Sequence, residues 1–186
     1  IGSRSWAFGD GGTSTAEDPS HYYSAPGTYQ VRLIVANNNG CKDTIIKNIT
    51  IYGLPPVNIN ASADSLCPGQ TTGVQLTASG ASTYTWTPAT GLSCTNCPNP
   101  IANPQTTTTY IVTGTDTNSC VNNDTITIHL KPKPAIAITG DTVICEGEST
   151  QLTATGAGSY TWSPATGLSC TTCPNPIATL TATDTF

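Results

Sequence analysis

The chain has 186 residues, with six Lys or Arg against eleven Asp or Glu and only 9% charged residues. Its basic residues Arg4, Arg32, Lys42, Lys47, Lys131 and Lys133 are scattered, so the basic footprint of a nucleic-acid binder is missing. No run of roughly eighteen apolar residues occurs, so no segment reads as a membrane-spanning helix. Thirty-five Thr and fifteen Ser stand against few strong helix formers. β-Branched Thr suits pleated surfaces, and the whole chain reads as β.

In chain order, the first unit, 1–53, is keyed by Trp6, Tyr29 and Cys41. Asp10 in its F-G-D-G-G run is either a turn former or a calcium ligand. No other cofactor or metal is expected, and His21 and His129 read as ordinary surface or strand residues because neither has a ligand at close spacing. A Pro-rich joint at Gly53-Leu54-Pro55-Pro56 opens the second unit, 54–131, and another at Lys131-Pro132-Lys133-Pro134 opens the third, 132–186. Proline fixes φ and favours extended chain, so the joints predict a semi-rigid rod of consecutive domains.

Within the second unit, strands are expected at 57–61, 74–79, 84–87, 107–116 and 125–130, divided by Gly, Pro and Asn clusters. About seven short strands in this length imply an Ig-like sandwich. Trp86 has the position of a buried sandwich tryptophan, and Tyr110 that of a tyrosine corner.

The stretch YTWTPATGLSCTNCPNP at 84–100 returns as YTWSPATGLSCTTCPNP at 160–176, an offset of 76 residues. Repetition at domain scale marks an array. Trp6, Trp86 and Trp162 correspond, then Tyr29, Tyr110 and Phe186, then the late Cys41 and Cys120; the early Cys67 and Cys145 also match. The first unit reads as lacking its first strands and the third its last, so only 54–131 is whole.

The Cys94/Cys97 and Cys170/Cys173 pairs sit at equivalent places in successive units, which argues against one zinc ion gathering both. Thioredoxin-type chemistry needs a helix N-terminus. A loop-closing disulfide within each pair is the remaining reading. Eight Cys at repeated positions indicate an oxidising, extracellular compartment.

Residues 6–52, with W-x-F-G-D-G at 6–11, D-P-S-H-Y-Y at 18–23 and P-G-T-Y at 26–29, resemble the latter two-thirds of a PKD domain. Residues 54–186 are similar to Ig-like repeats of very large secreted surface proteins of Bacteroidota, associated with gliding motility and type IX secretion. The motifs that carry this are W-[ST]-P-A-T-G-L-S-C-T-x-C-P-N-P and T-T-T-T-Y-I-V-T-G-T-D-x-N-x-C. The resemblances imply tandem Ig-like β-sandwiches, extracellular and non-catalytic.

Joining early to late Cys within a domain pairs Cys67 with Cys120, leaving Cys41 and Cys145 to partners outside the sequence. Ordinary Ig topology puts these two turns at opposite ends, and a bridge between successive domains is the alternative. D-[ST]-aliphatic triplets resemble the Bacteroidota O-glycosylation signal and make Thr44, Ser65, Thr125 and Thr142 candidate sites. Asp as a turn cap and Thr as a strand start is the competing reading.

The functional expectation is a structural segment of a surface adhesin or fibre. Its partners are neighbouring domains of a longer chain and, in a fibre, other copies. The alternative is a carbohydrate-binding or substrate-docking accessory of a secreted enzyme, which an exposed row of aromatics would favour.

Overall fold

The structure is a computed structural model that describes all residues except Ile1, Glu146, Thr181, Asp184 and Phe186. Phe186, the expected counterpart of Tyr110, therefore lies outside the described residues. The chain divides into two compact units, 1–130 and 131–186. All described secondary structure is β.

Residues 2–52 build one antiparallel sheet from β1 (Ser3–Ala7), β2 (Thr13–Ser14), β3 (Gly27–Ala36) and β4 (Lys42–Ile51), in the order β2-β1-β3-β4. β3 and β4 form a ten-residue ladder from Gly27↔Ile51 to Ala36↔Lys42. The buried residues of this sheet are Phe8 and Val31. Trp6 and Tyr29, expected as core anchors, are only partly buried. β4 leaves Ile45, Ile46 and Ile49 exposed.

Within the first compact unit, residues 58–130, the second domain, form a seven-stranded sandwich. Its strands are β5 (Asn58–Ala61), β6 (Ser65–Leu66), β7 (Val74–Ser79), β8 (Thr83–Thr87), β9 (Ile101–Ala102), β10 (Thr108–Thr115) and β11 (Val121–Leu130). One sheet runs β6-β11-β10-β8 and the other β5-β7-β9. Strict alternation writes the two faces into the sequence: in β7, Val74, Leu76 and Ala78 are buried while Gln75, Thr77 and Ser79 face solvent. From the facing sheet come Trp86, Tyr110, Val112 and Ile128, each at most 2% exposed. These side chains, with Val57, Leu66 and Ala102, make one continuous core. Gly114 completes it by absence, since a Cβ there would lie 2.6 Å from a Val57 methyl and 2.7 Å from the Ala81 Cβ.

The described residues of 131–186 carry four short strands: β12 (Ala137–Thr139), β13 (Ser149–Gln151), β14 (Thr153–Thr155) and β15 (Ile177–Thr179). They pair as β12-β14 and β13-β15. These are the counterparts of β5, β7 and β9, with the β7 equivalent split between β13 and β14. Residues 159–163, nearly identical in sequence to β8, form no strand.

Candidate functional site

The most organised local structure is the loop that follows each repeat tryptophan. In the second domain, Trp86 donates its indole N–H to the Cys97 carbonyl at 2.8 Å, and its backbone N–H to the Thr95 carbonyl at 2.8 Å. The Ser93 hydroxyl accepts the Ile101 N–H, while the Ser93 N–H donates to the Ile101 carbonyl. The Tyr110 hydroxyl donates to the Thr90 carbonyl at 2.8 Å. Buried indole and phenol groups need partners, and here the partners are loop carbonyls. Cys94 and Cys97 are disulfide-bonded across this loop, with Cα atoms 6.1 Å apart.

The same device occurs in 131–186. Trp162 donates its indole N–H to the Cys173 carbonyl and its backbone N–H to the Thr171 carbonyl, both at 2.8 Å. Cys170 and Cys173 are bonded, with Cα atoms 6.0 Å apart. Ser169 exchanges the same two bonds with Ile177 that Ser93 makes with Ile101.

Tyr110 is not a tyrosine corner. Its hydroxyl reaches twenty residues back to fasten the loop, whereas a corner closes on backbone a few residues upstream. Burial pushes its phenol above the ordinary tyrosine range. The local corner-like bond belongs to Tyr29, which donates to the Ala25 carbonyl at 2.9 Å.

The expected Cys67–Cys120 disulfide is absent, and both cysteines are free, as are Cys41 and Cys145. Topology gives the reason. Cys67 directly follows β6, whose Leu66 pairs with Leu130 at the end of β11, while Cys120 directly precedes Val121 at the start of β11. A ten-residue strand separates them by roughly 30 Å. A disulfide requires Cα atoms within about 7 Å.

Of the candidate glycosylation positions, Thr44, Thr125 and Thr142 are exposed and Ser65 is partly exposed. The aspartates beside three of them have structural work. Asp43 and Asp124 each accept the N–H of the following Thr, and the Ser65 hydroxyl donates to Asp64. Asp124 also accepts the Ile59 N–H at 2.8 Å, which ties β5 to the opposite sheet.

The sequence reading missed the surroundings of His21, which is not isolated. Its Nε2 lies 2.7 Å from an Asp10 carboxylate oxygen, and its ring stacks on Phe8 with centroids 4.0 Å apart. Asp10 also accepts the Gly12 N–H. These bonds, that to His21 first, hold the Asp10 carboxyl below its usual range. A continuous row of rings follows: Trp6, Phe8, His21, Tyr23 and Tyr29. Burial, aided by the Asp10 charge and by Tyr29, pushes the Tyr23 phenol up, and its hydroxyl donates to the Phe8 carbonyl. The F-G-D-G and D-P-S-H-Y-Y motifs were the available signal, since they bring Asp10 and His21 together from eleven residues apart. Among the described residues no serine or cysteine is hydrogen-bonded to His21, and no group of three or more His, Cys, Asp or Glu converges.

Residues 1–51 match the PKD domain family. The chain is 33% identical over 66 residues to collagenase ColA of Bacillus cereus, a stretch that is 36% of this chain and 7% of the collagenase. Over 73 residues it is 36% identical to the microbial collagenase of Vibrio alginolyticus, covering 39% of this chain and 9% of that enzyme. The chain thus spans less than a tenth of the curated relatives it matches. Among solved structures, it is similar to extracellular cadherin domains 3–6 of protocadherin gamma B2, at 13% identity and a TM-score of 0.34, over 96% of this chain and 58% of that one. The tandem Ig-like reading rests on the strands and registers above.

Proposed function

We propose that the chain is a non-catalytic structural segment of a long extracellular surface protein, in which tandem disulfide-stapled Ig-like domains act as a spacer or stalk in an adhesin or fibre. The observation that carries this reading is the latch built twice. Trp86 and Trp162 are bolted by the same hydrogen bonds to the same disulfide-closed loop. What is duplicated is a stabilising device, in which the Trp indole, the Ser hydroxyl and the Cys pair are each engaged in closing the loop. Such a module suits load-bearing and protease resistance, because the staple restricts the unfolded chain and the core Trp resists loop opening. In the second domain, load passes through the β10–β11 ladder of eight residue pairs. The large secreted proteins of Bacteroidota exported by the type IX route are the setting this implies, with O-glycans on Thr44, Thr125 or Thr142 adding solubility to a surface short of charge. Neighbouring domains of the same polypeptide are the immediate partners.

A second reading, a docking module accessory to a secreted enzyme, is favoured by the ring row from Trp6 to Tyr29 and by the collagenases among the relatives. Pulling the full chain between two tethers tests the first. The second domain should unfold in one discrete force event, and smooth extension without such an event would remove the stalk reading. Saturable binding of the chain to fibrillar collagen or to an arrayed glycan, lost when Tyr23 and Tyr29 of the ring row are replaced by Ala, would decide for docking.

A further inference from the structure

β4 ends the first sheet, and among the described residues no strand lies along its outer edge. Every residue from Lys42 to Thr50 is exposed, Ile45 to 67% and Ile46 to 51%. In the second domain the corresponding strand, β11, carries β6 only at His129 and Leu130, so its hairpin half is open as well.

Which backbone groups face the open edge follows from the ladder. The Asn37 N–H donates to the Cys41 carbonyl at 3.0 Å, so this pair and every second pair after it exchange bonds between β3 and β4. Asp43, Ile45, Lys47 and Ile49 therefore bond to β3, whereas Lys42, Thr44, Ile46 and Asn48 direct their N–H and C=O groups outward. The same alternation in the second domain starts at Asp116 and Cys120 and turns His129 outward, where its N–H donates to the Asp64 carbonyl at 2.9 Å. The Thr44 N–H fits the pattern, since it donates to the adjacent Asp43 carboxylate at 2.8 Å rather than to β3.

We propose that this edge pairs with the same edge of a second copy of the chain, antiparallel, about a two-fold axis at Ile45. Outward groups must meet outward groups, so Lys42, Thr44, Ile46 and Asn48 can oppose only even-numbered residues of the copy. Among the registers that meet this condition, the charges select one. Centring on Ile45 sets Asp43 opposite the partner's Lys47, and Lys47 opposite the partner's Asp43, with the two Ile45 side chains between them. Thr44 then exchanges bonds with the partner's Ile46, and Lys42 with the partner's Asn48. Centring on Asp43 or Lys47 would oppose like charges, and centring on Thr44, Ile46 or Asn48 forms no ion pair. Charges on an edge strand ordinarily keep copies apart, but Asp43 four residues before Lys47 makes one register attractive. Once the Thr44 N–H takes the carbonyl of the partner's Ile46, the Asp43 carboxylate is released to the partner's Lys47. The overlap ends at residue 48, short of the joint at 53–56, and the antiparallel direction sends the two copies of residue 53 to opposite ends of the paired strands. This inference goes beyond the stalk and docking readings and rests on neither.

The test uses the full chain with its free thiols alkylated, so that no disulfide can join two copies. Sedimentation velocity up to about 1 mM should show a reversible dimer. Asp43→Lys and Lys47→Asp should each weaken association at least about tenfold, because each alone opposes like charges twice. Mixing the two variants should restore it, each supplying the charge the other lacks. Amide exchange read by NMR should slow at Thr44 and Ile46 on dimerisation and stay unchanged at Ile45 and Lys47. Ile46→Pro removes an outward N–H without touching a bond to β3, and should leave a folded monomer. A chain that stays monomeric over the whole range would overturn the proposal. So would a dimer that persists in Ile46→Pro, a dimer without protection at Thr44 and Ile46, or single variants that associate as strongly as their mixture.

Discussion

Replacing Cys94 and Cys97 together by Ser isolates what the staple contributes to the second domain. The two are three positions apart, so reduction frees only a very small loop in the unfolded chain. Loop-closure entropy for a ring this short amounts to roughly 2 kcal/mol. That is well below the roughly 3–5 kcal/mol expected for truncating a fully buried Trp to Ala, and Trp86 is 2% exposed. The loop also keeps its other fastenings: the Trp86 bonds to Cys97 and Thr95, the Ser93–Ile101 exchange, and the Tyr110 bond to Thr90. The double serine variant should therefore stay folded, with the second domain melting roughly 8–16 °C lower. Differential scanning calorimetry of the full chain, with exchange protection at β7, β8 and β10 assigning the transition, measures this. Loss of protection across β7 and β10 at 25 °C would refute the argument, because the disulfide would then hold the core together rather than trim the entropy of its unfolded state. Equal destabilisation of the unmodified protein by a metal chelator would refute it differently, by making the pair a metal site.

Tyr110→Phe leaves the Thr90 carbonyl without its donor and should cost about 1–3 kcal/mol with no change in fold, read as a lowered denaturation midpoint for the second domain. An unaltered midpoint would show that the hydroxyl does not fasten the loop. In the first sheet, the Asp10 carboxyl has a folded pKa below its unfolded value, so its contribution is present above pH of about 4 and is lost as the pH falls through the folded pKa. Asp10→Asn should flatten that acid limb of a thermal-stability profile, and an acid limb as steep as that of the parent would contradict the pairing with His21. Cys67 and Cys120 should both react with maleimide in the non-reduced, folded chain, whereas Cys94 and Cys97 should not. Recovery of a Cys67–Cys120 peptide on non-reducing digestion would overturn the strand order of β6 and β11.

Much of the architecture was legible in the residues. Alternation such as Val74, Leu76 and Ala78 against Gln75, Thr77 and Ser79 is a local code with period two, and it places both strand and buried face before any partner is known. The Cys94 and Cys97 pairing was legible for a related reason, since three residues of chain bound how far apart the two can be. Pairings between distant segments were not. Cys67 and Cys120 looked like partners because each domain supplies one early and one late, yet β11 holds them apart as a ten-residue strut. Tyr110 looked like a corner, and only the fold of the loop against it shows that Thr90 is what it holds. His21 looked solitary because Asp10 lies eleven residues away along the chain and hydrogen-bonded to it in space.

The clearest division between the two levels is a pair of near-identical segments. Residues 83–87 and 159–163 share Tyr, Thr and Trp in the same order, and the sequence alone places a Cys-x-x-Cys pair at the same distance after each Trp. Only tertiary structure decides that the first is a strand and the second is not. A strand's backbone N–H and C=O groups are satisfied by another strand rather than within the segment, so the same residues form β8 where β10 lies alongside and remain without strand pairing where no such partner is present among the described residues.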